Sequence, residues 1–209
     1  MYKIVPFLAL SIMIPCISQA ADKCVFYKKK PEVNLIVPDW TKHVVQPLDF
    51  MDLYHGNVIA TLADNYDVVA DINQLPDNSG TCVGLKSVHA TIGYVDFLVK
   101  IDMRHKLDSC SYNAVLAHEN EHINAYLSVI DDFKPDLINS VYTAANSIMP
   151  IYVENGDDIH AALDDLNKQL QSHPVMILIK QRIYAEEELR NLKIDENEYK
   201  YDELEKCND

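Results

Sequence analysis

The stretch LAHENEH, Leu116 to His122, places two imidazoles four positions apart with a glutamate beside each. On a helix such residues project from one face a turn apart, the spacing with which two histidines grip one metal ion. Neutral imidazoles suit Zn2+, and a zinc site that keeps one position open lowers the pKa of its water to about 7. A neighbouring carboxylate can then take the proton as the water attacks a carbonyl, and return it to a leaving amine. Two registers satisfy this chemistry. In His-Glu-x-x-His the base is Glu119; in the inverted His-x-x-Glu-His it is Glu121.

A helical wheel separates the two glutamates. With His118 at zero and about 100° per residue, His122 falls about 40° away. Val115, Tyr112, Ile123, Tyr126, Val129 and Ile130 share one apolar arc. Asn113, Asn120, Asn124, Asp131 and Asp132 fill the opposite arc, and Glu121 falls among them. Glu119 lies near 100°, in the middle of the apolar arc. Burying an unpaired carboxylate costs several kcal/mol unless a cation or donors meet it, so the wheel favours Glu119 as the base. Glu121 takes that part if the helix packs with its other face inward.

The elements that must position this helix have two textures. Residues 24–104 are rich in β-branched and aromatic types with turn signals between them, as in "VNLIVPD", "NVIATLA", "YDVVADI" and the run "CVGLKSVHATIGYVDFLVKIDM". These predict strands of a mostly antiparallel sheet. Residues 111–205 have helical periodicity. It predicts helices over about 111–133, stopped before Pro135; 136–149, stopped by Pro150; 157–172; and 174–205, opened by Pro174. Strands followed by helices imply an α+β domain, with residues 21–209 as one unit.

The first 20 residues have the form of a secretory signal, with Lys3, a short apolar run, and Ser18 and Ala20 placed for cleavage after Ala20. The mature chain is then expected in the periplasm or outside the cell, with no stable membrane insertion. The net charge of -14 argues against nucleic acid or an anionic membrane as the main partner. Four cysteines follow the signal: Cys24, Cys82, Cys110 and Cys207. An even number in an exported chain suggests two disulfides. Cys82 and Cys110 bracket the long strand run, so they are expected to pair, leaving Cys24 with Cys207.

The runs "SGTCVGLKSVHATIGYVDFLVKIDM", "HENEHINAY" and "EYKYDELEKC" resemble those of a bacterial group, the predicted secreted zinc-dependent proteases, over roughly residues 79–205. The resemblance implies a zincin-like domain in which His118 and His122 bind zinc, Glu119 is the base, and peptides or proteins are the substrates. That group carries a histidine shortly after its Tyr-Asp, whereas Tyr201-Asp202 here is followed by "ELEKC". The metzincin extension is also absent, since Ala125 and Ser128 occupy its positions. Candidates for the third ligand are therefore Glu154, His160, Glu186 and, by resemblance, Asp202. Glu186 is favoured because it neighbours Ile183 and Leu189 on an apolar stripe.

His89 and His105 flank the long strand and read as surface histidines, although a strand there could line a cleft and pair with an extended peptide. Tyr126 could reach toward the metal, but core packing is the simpler reading. Two classes of function follow: an exported zinc metallohydrolase, most simply a peptidase, or an exported binding protein whose histidine pair is structural.

Overall fold

The computed structural model describes residues 23–47, 55–154, 158–196 and 206–207. The signal expected over residues 1–20 and the candidate Asp202 lie outside them. The chain folds as an N-terminal sheet followed by a helical half, an α+β arrangement.

The sheet is built on β4 (Gly80–Ile101). Along one edge it pairs antiparallel with β3 (Gly56–Gln74). Along the other edge lie β5 (Ile151–Glu154), antiparallel, then β1 (Glu32–Ile36) and β2 (Thr41–Val45), both parallel, each covering a few residues of β4 in turn. The two runs "NVIATLA" and "YDVVADI", read as separate strands, are halves of the one strand β3. β2 and β5 were not expected. Every residue of β2 is exposed, so its sequence has no alternation to betray a strand. β5 follows Pro150, which reads as a helix stop rather than a strand start.

Two irregularities let this long hairpin keep a single core face. Leu85 and Ser87 pair with Ala70 and Val69, and Tyr94 and Asp96 with Leu62 and Thr61, which leaves Lys86 and Val95 without opposite residues. An extra residue bends the strand and shifts the inward parity by one. Accordingly Val83 and Leu85 are buried before the first bulge, Val88, Ala90, Ile92 and Tyr94 between the bulges, and Phe97, Val99 and Ile101 after the second.

Helix α1 (Cys110–Ser147) lies on that face and buries Tyr112, Val115, Glu119, Ile123, Val129, Ile130, Leu137 and Val141. Its N-terminus is capped by Ser109, whose side chain accepts from Tyr112 N. The break expected at Pro135 does not occur. Pro135 is exposed, as is Asp131 one turn earlier, so water can satisfy the carbonyl that loses its partner. Leu137 and Val141 carry the buried row past the proline and hold the helix together. Helices α2 (Ile159–Gln171) and α3 (Pro174–Glu196) complete the layer. His122 meets Asn191, Asp132 meets Arg190, and Asp136 meets Arg182, so α3 runs antiparallel to α1. Sheet and helices share one hydrophobic core, from Tyr66 to Ile183. None of the described helices is long and apolar enough to cross a membrane.

The disulfides are Cys24–Cys82 and Cys110–Cys207, not the pairing expected from the sequence. Cys82 stands at one end of β4 and Cys110 follows the other. An extended strand rises about 3.3 Å per residue, so that strand holds them far apart. Cys24 is instead carried onto the start of β4 beside Leu75. Non-reducing peptide mapping should recover Cys24 with Cys82 and Cys110 with Cys207. Replacing Cys24 and Cys82 together by serine should cost about 4 kcal/mol in denaturant unfolding, the usual size for a loop of this length.

Candidate metal centre

His118 and His122 stand one turn apart on α1, and both turn toward α3. Their Nε2 atoms are 3.2 Å apart. Asp195, in the last turn of α3, brings its Oδ1 to 3.1 Å from His122 Nε2 and 3.5 Å from His118 Nε2. Asn191, one turn earlier on α3, has Oδ1 2.8 Å from His122 Nδ1. An amide oxygen only accepts, so Nδ1 carries the hydrogen and His122 Nε2 presents its lone pair. Two imidazole nitrogens and a carboxylate oxygen thus converge on one point, where a shared proton or a metal ion could sit.

The spacing fits one. Nitrogen and oxygen ligands at about 2.0–2.2 Å from a tetrahedral centre lie about 3.3–3.5 Å from one another. The observed 3.1, 3.2 and 3.5 Å fall at or slightly inside those edges. His118, His122 and Asp195 therefore form a group that could hold a metal ion. The C-terminal end of α3 adds the negative pole of its dipole there.

Glu119 is 3% exposed, on the core side of α1. It makes no hydrogen bond among the described residues, and burial, then the nearby charge of Asp195, pushes its pKa up to about 8. A cation at the cluster would oppose both effects and return Glu119 to the carboxylate form. Facing it is the first residue of β3. A side chain at Gly56 would strike the Glu119 carboxylate and approach Val115 Cγ1 to 2.8 Å. With glycine there, Glu119 keeps the place it occupies; a larger residue would force its carboxylate to shift.

A cavity of about 560 Å³ opens over this group. His55, Gly56 and Val58 of the β3 end, Glu119 and Tyr126 of α1, and Leu192 of α3 lie among its walls. The strand that lines it is thus the beginning of β3, not β4, and His89 is not among the lining residues. His105 is no surface histidine. It is 7% exposed, and its Nε2 lies 2.8 Å from Nδ1 of His55, a residue that drew no attention in the sequence. Tyr126 both packs and lines: its ring meets Tyr94 at 5.1 Å, and the residue borders the cavity.

The third-ligand candidates among the described residues are placed elsewhere. Glu186 pairs with Arg190 at 2.8 Å, Glu154 is exposed on β5, and His160 is exposed near the start of α2. Asp195 was missed because "IDENEY" reads as a charged helix end. A signal was present: the buried row Met176, Ile179, Ile183 and Glu187 continues at the same spacing through Asn191 to Asp195. Leu189 misled, since it is 45% exposed and off that row.

Comparison with protein-family models, with curated proteins and with solved structures finds no match. The geometry of the site alone bears on its chemistry.

The protonation of Glu119 yields a test on metal-free protein. Its folded pKa of about 8 stands above the ordinary 4.5, so the folded state holds the proton longer than the unfolded state. Stability is then fully present below pH 4.5 and is lost as pH rises toward 8. At pH 7 the loss should be about 3 kcal/mol, at 1.4 kcal/mol per pH unit above 4.5. Thermal melts in chelator should show this fall in the wild type and a flatter profile in Glu119→Gln.

Proposed function

We propose that this chain is an exported zinc-dependent hydrolase of peptide bonds. The observation that carries the reading is the placement of Glu119, a buried carboxyl beside three converging ligand atoms at the floor of an open cavity. A purely structural metal site has no use for a second carboxyl held back from the ligands, since such sites close their coordination with protein atoms. The zincin-like resemblance of the HENEH stretch agrees with this reading.

Two imidazoles and a carboxylate suit zinc better than a hard cation such as Mg2+, which prefers an oxygen shell. Zinc held there supplies a Lewis acid and an acidified water. Glu119 takes the proton from the attacking water as its oxygen bonds to the carbonyl carbon. It then delivers that proton to the nitrogen as the C–N bond breaks, giving a carboxylic acid and an amine. The start of β3 supports a peptide as substrate. Among the described strands none pairs with its outer edge, and this edge runs from the cavity wall at Gly56 and Val58. Two disulfides fit an oxidising compartment.

The purified mature chain should hold about one zinc per molecule, and His118→Ala with His122→Ala should abolish binding. Asp195→Ala should weaken zinc binding strongly while Glu186→Ala leaves it unchanged; the reverse would reassign the third ligand. At equal zinc content, Glu119→Gln should lower turnover of an unstructured protein such as casein by two to four orders of magnitude, on the order of a general-base contribution. Glu121→Gln should leave turnover near wild type. If only Glu121→Gln is inactive, the inverted register is correct. If zinc-loaded wild type cleaves nothing, the binding-protein reading replaces the hydrolase.

A further inference from the structure

One histidine pair takes no part in holding the metal or in moving the proton. Nδ1 of His55 lies 2.8 Å from Nε2 of His105, with the ring centroids 4.9 Å apart. The backbone of Asp102 holds both residues: its N–H donates to the His55 carbonyl at 2.9 Å, and its carbonyl accepts from His105 N at 3.0 Å. Gln46 Nε2 donates in turn to the His105 carbonyl at 2.7 Å. His105 is thereby fixed in the link between β4 and α1, buried, and it is not among the residues that line the cavity. His55 does line it, together with His118, Glu119, His122 and Asp195. It directly precedes Gly56, whose lack of a side chain leaves room for the Glu119 carboxyl. An imidazole that turns Nδ1 to a buried partner turns its opposite edge away from that partner. The edge that His55 presents to the cavity is then the one with Nε2.

The hydrogen between two ring nitrogens can come from either ring. If His55 supplies it, His55 Nε2 is bare; if His105 supplies it, His55 Nε2 carries a hydrogen. The charge nearby favours the second. Arg104 binds the Asp102 carboxylate with its Nε at 2.8 Å and its backbone N–H at 2.7 Å, which holds that carboxyl below the usual carboxylate range. His105 lies close enough to interact with the charge, and an anion beside one imidazole favours hydrogens on that ring. Around the ligand cluster, Glu119 and Asp195 bring carboxylate oxygens, and His118 and His122 bring ring nitrogens. A carbonyl oxygen that gathers negative charge under attack asks for the opposite, an N–H aimed at it.

We propose that His55 is a catalytic hydrogen-bond donor, through Nε2–H, to the carbonyl oxygen of the bound substrate, and that His105 is the positioning residue that sets its tautomer and holds its ring. This rests on the hydrolase reading of the neighbouring site. His55 touches the oxygen, whereas His105 acts only through His55. The donor comes from the β3 end of the cavity and the ligands from α1 and α3, so a carbonyl between them is met from two sides.

Nitrogen-15 shifts of the imidazoles in zinc-loaded protein at neutral pH should show His55 Nε2 and His105 Nε2 as N–H and His55 Nδ1 as bare; the reverse tautomer on His55 would overturn the proposal. Casein turnover at saturating zinc should fall about 10²-fold in His55→Leu, through kcat rather than KM, the size of one lost oxyanion donor. His55→Gln, whose amide N–H can stand in for Nε2–H, should recover much of that loss. His105→Leu should lower kcat by up to about 10²-fold, the cost of a misplaced group, and His105→Gln, which keeps a donor for His55 Nδ1, should restore it. Zinc affinity, measured by chelator competition, should stay within a few-fold of wild type in all four variants; its collapse in His55→Leu would place His55 in the metal shell and overturn the proposal. A phosphinic alanine peptide, whose P–O⁻ stands in for the tetrahedral oxyanion, should bind zinc-loaded wild type about 10²-fold more tightly than zinc-loaded His55→Leu. Full kcat in His55→Leu, or equal affinity of the two proteins for the phosphinic peptide, would overturn the proposal. If wild type hydrolyses nothing yet binds that peptide through His55, the hydrolase reading fails and the donor stands.

Discussion

A carboxyl group on the core-facing row of a helix has to be met by something, and much of this site answers that constraint. Glu119 lies between Val115 and Ile123 in a row that otherwise packs on the sheet. Its burial alone opposes ionisation, and the charge of Asp195 opposes it further. β3 begins with a glycine where any side chain would overlap the carboxylate. Among the described residues, α3 brings up the one acid that, with the two histidines, could bind a cation close enough to Glu119 to reverse its protonation. Without a cation, burial and the charge of Asp195 together disfavour the Glu119 carboxylate.

α3 carries a second consequence of the same constraint. Its inward row is apolar in the first half, with Met176, Ile179 and Ile183, and polar in the second, with Glu187, Asn191 and Asp195. Each polar member has a named partner: Tyr94 for Glu187, His122 for Asn191, and the two imidazoles for Asp195. The seam gives up hydrophobic burial along half a helix, and paired polar groups in a seam fix register more sharply than they add stability. Sliding α3 by one residue would break every one of these contacts.

The position of Glu119 was legible because it depends on one regular helix, whose wheel places a residue to within a few tens of degrees. The two textures of the chain were legible for a similar reason, since alternation and helical period are local. What could not be read were features set by register between distant segments. Lys86 and Val95 look like ordinary members of an alternating run, and only their lack of opposite residues makes them bulges. The inward face then changes parity twice, so a fixed alternation rule misassigns part of β4. The disulfide pairing failed for a related reason: bracketing a strand in sequence means standing at its two ends in space. Asp195 was hidden because a charged helix end is the commonest surface feature there is, and its partners lie more than seventy positions away.

Asp195, the carboxylate that could complete the site, stands at the end of α3. Its side chain is 59% exposed, and terminal turns are where helices fray. Two linkages restrain this one. Asn191, one turn inward, is tied to His122 on α1, so the backbone just ahead of Asp195 is anchored to the ligand helix. Farther on, Cys207 is joined to Cys110, the first residue of α1, two turns before His118. The segment that bears Asp195 is therefore fixed on both sides to the same helix that bears the histidines. A short closed path keeps the carboxylate near them at high effective concentration even when the last turn opens. The Cys110–Cys207 bond, which the sequence misassigned, thus ties the segment after Asp195 to the start of the helix that bears the two histidines.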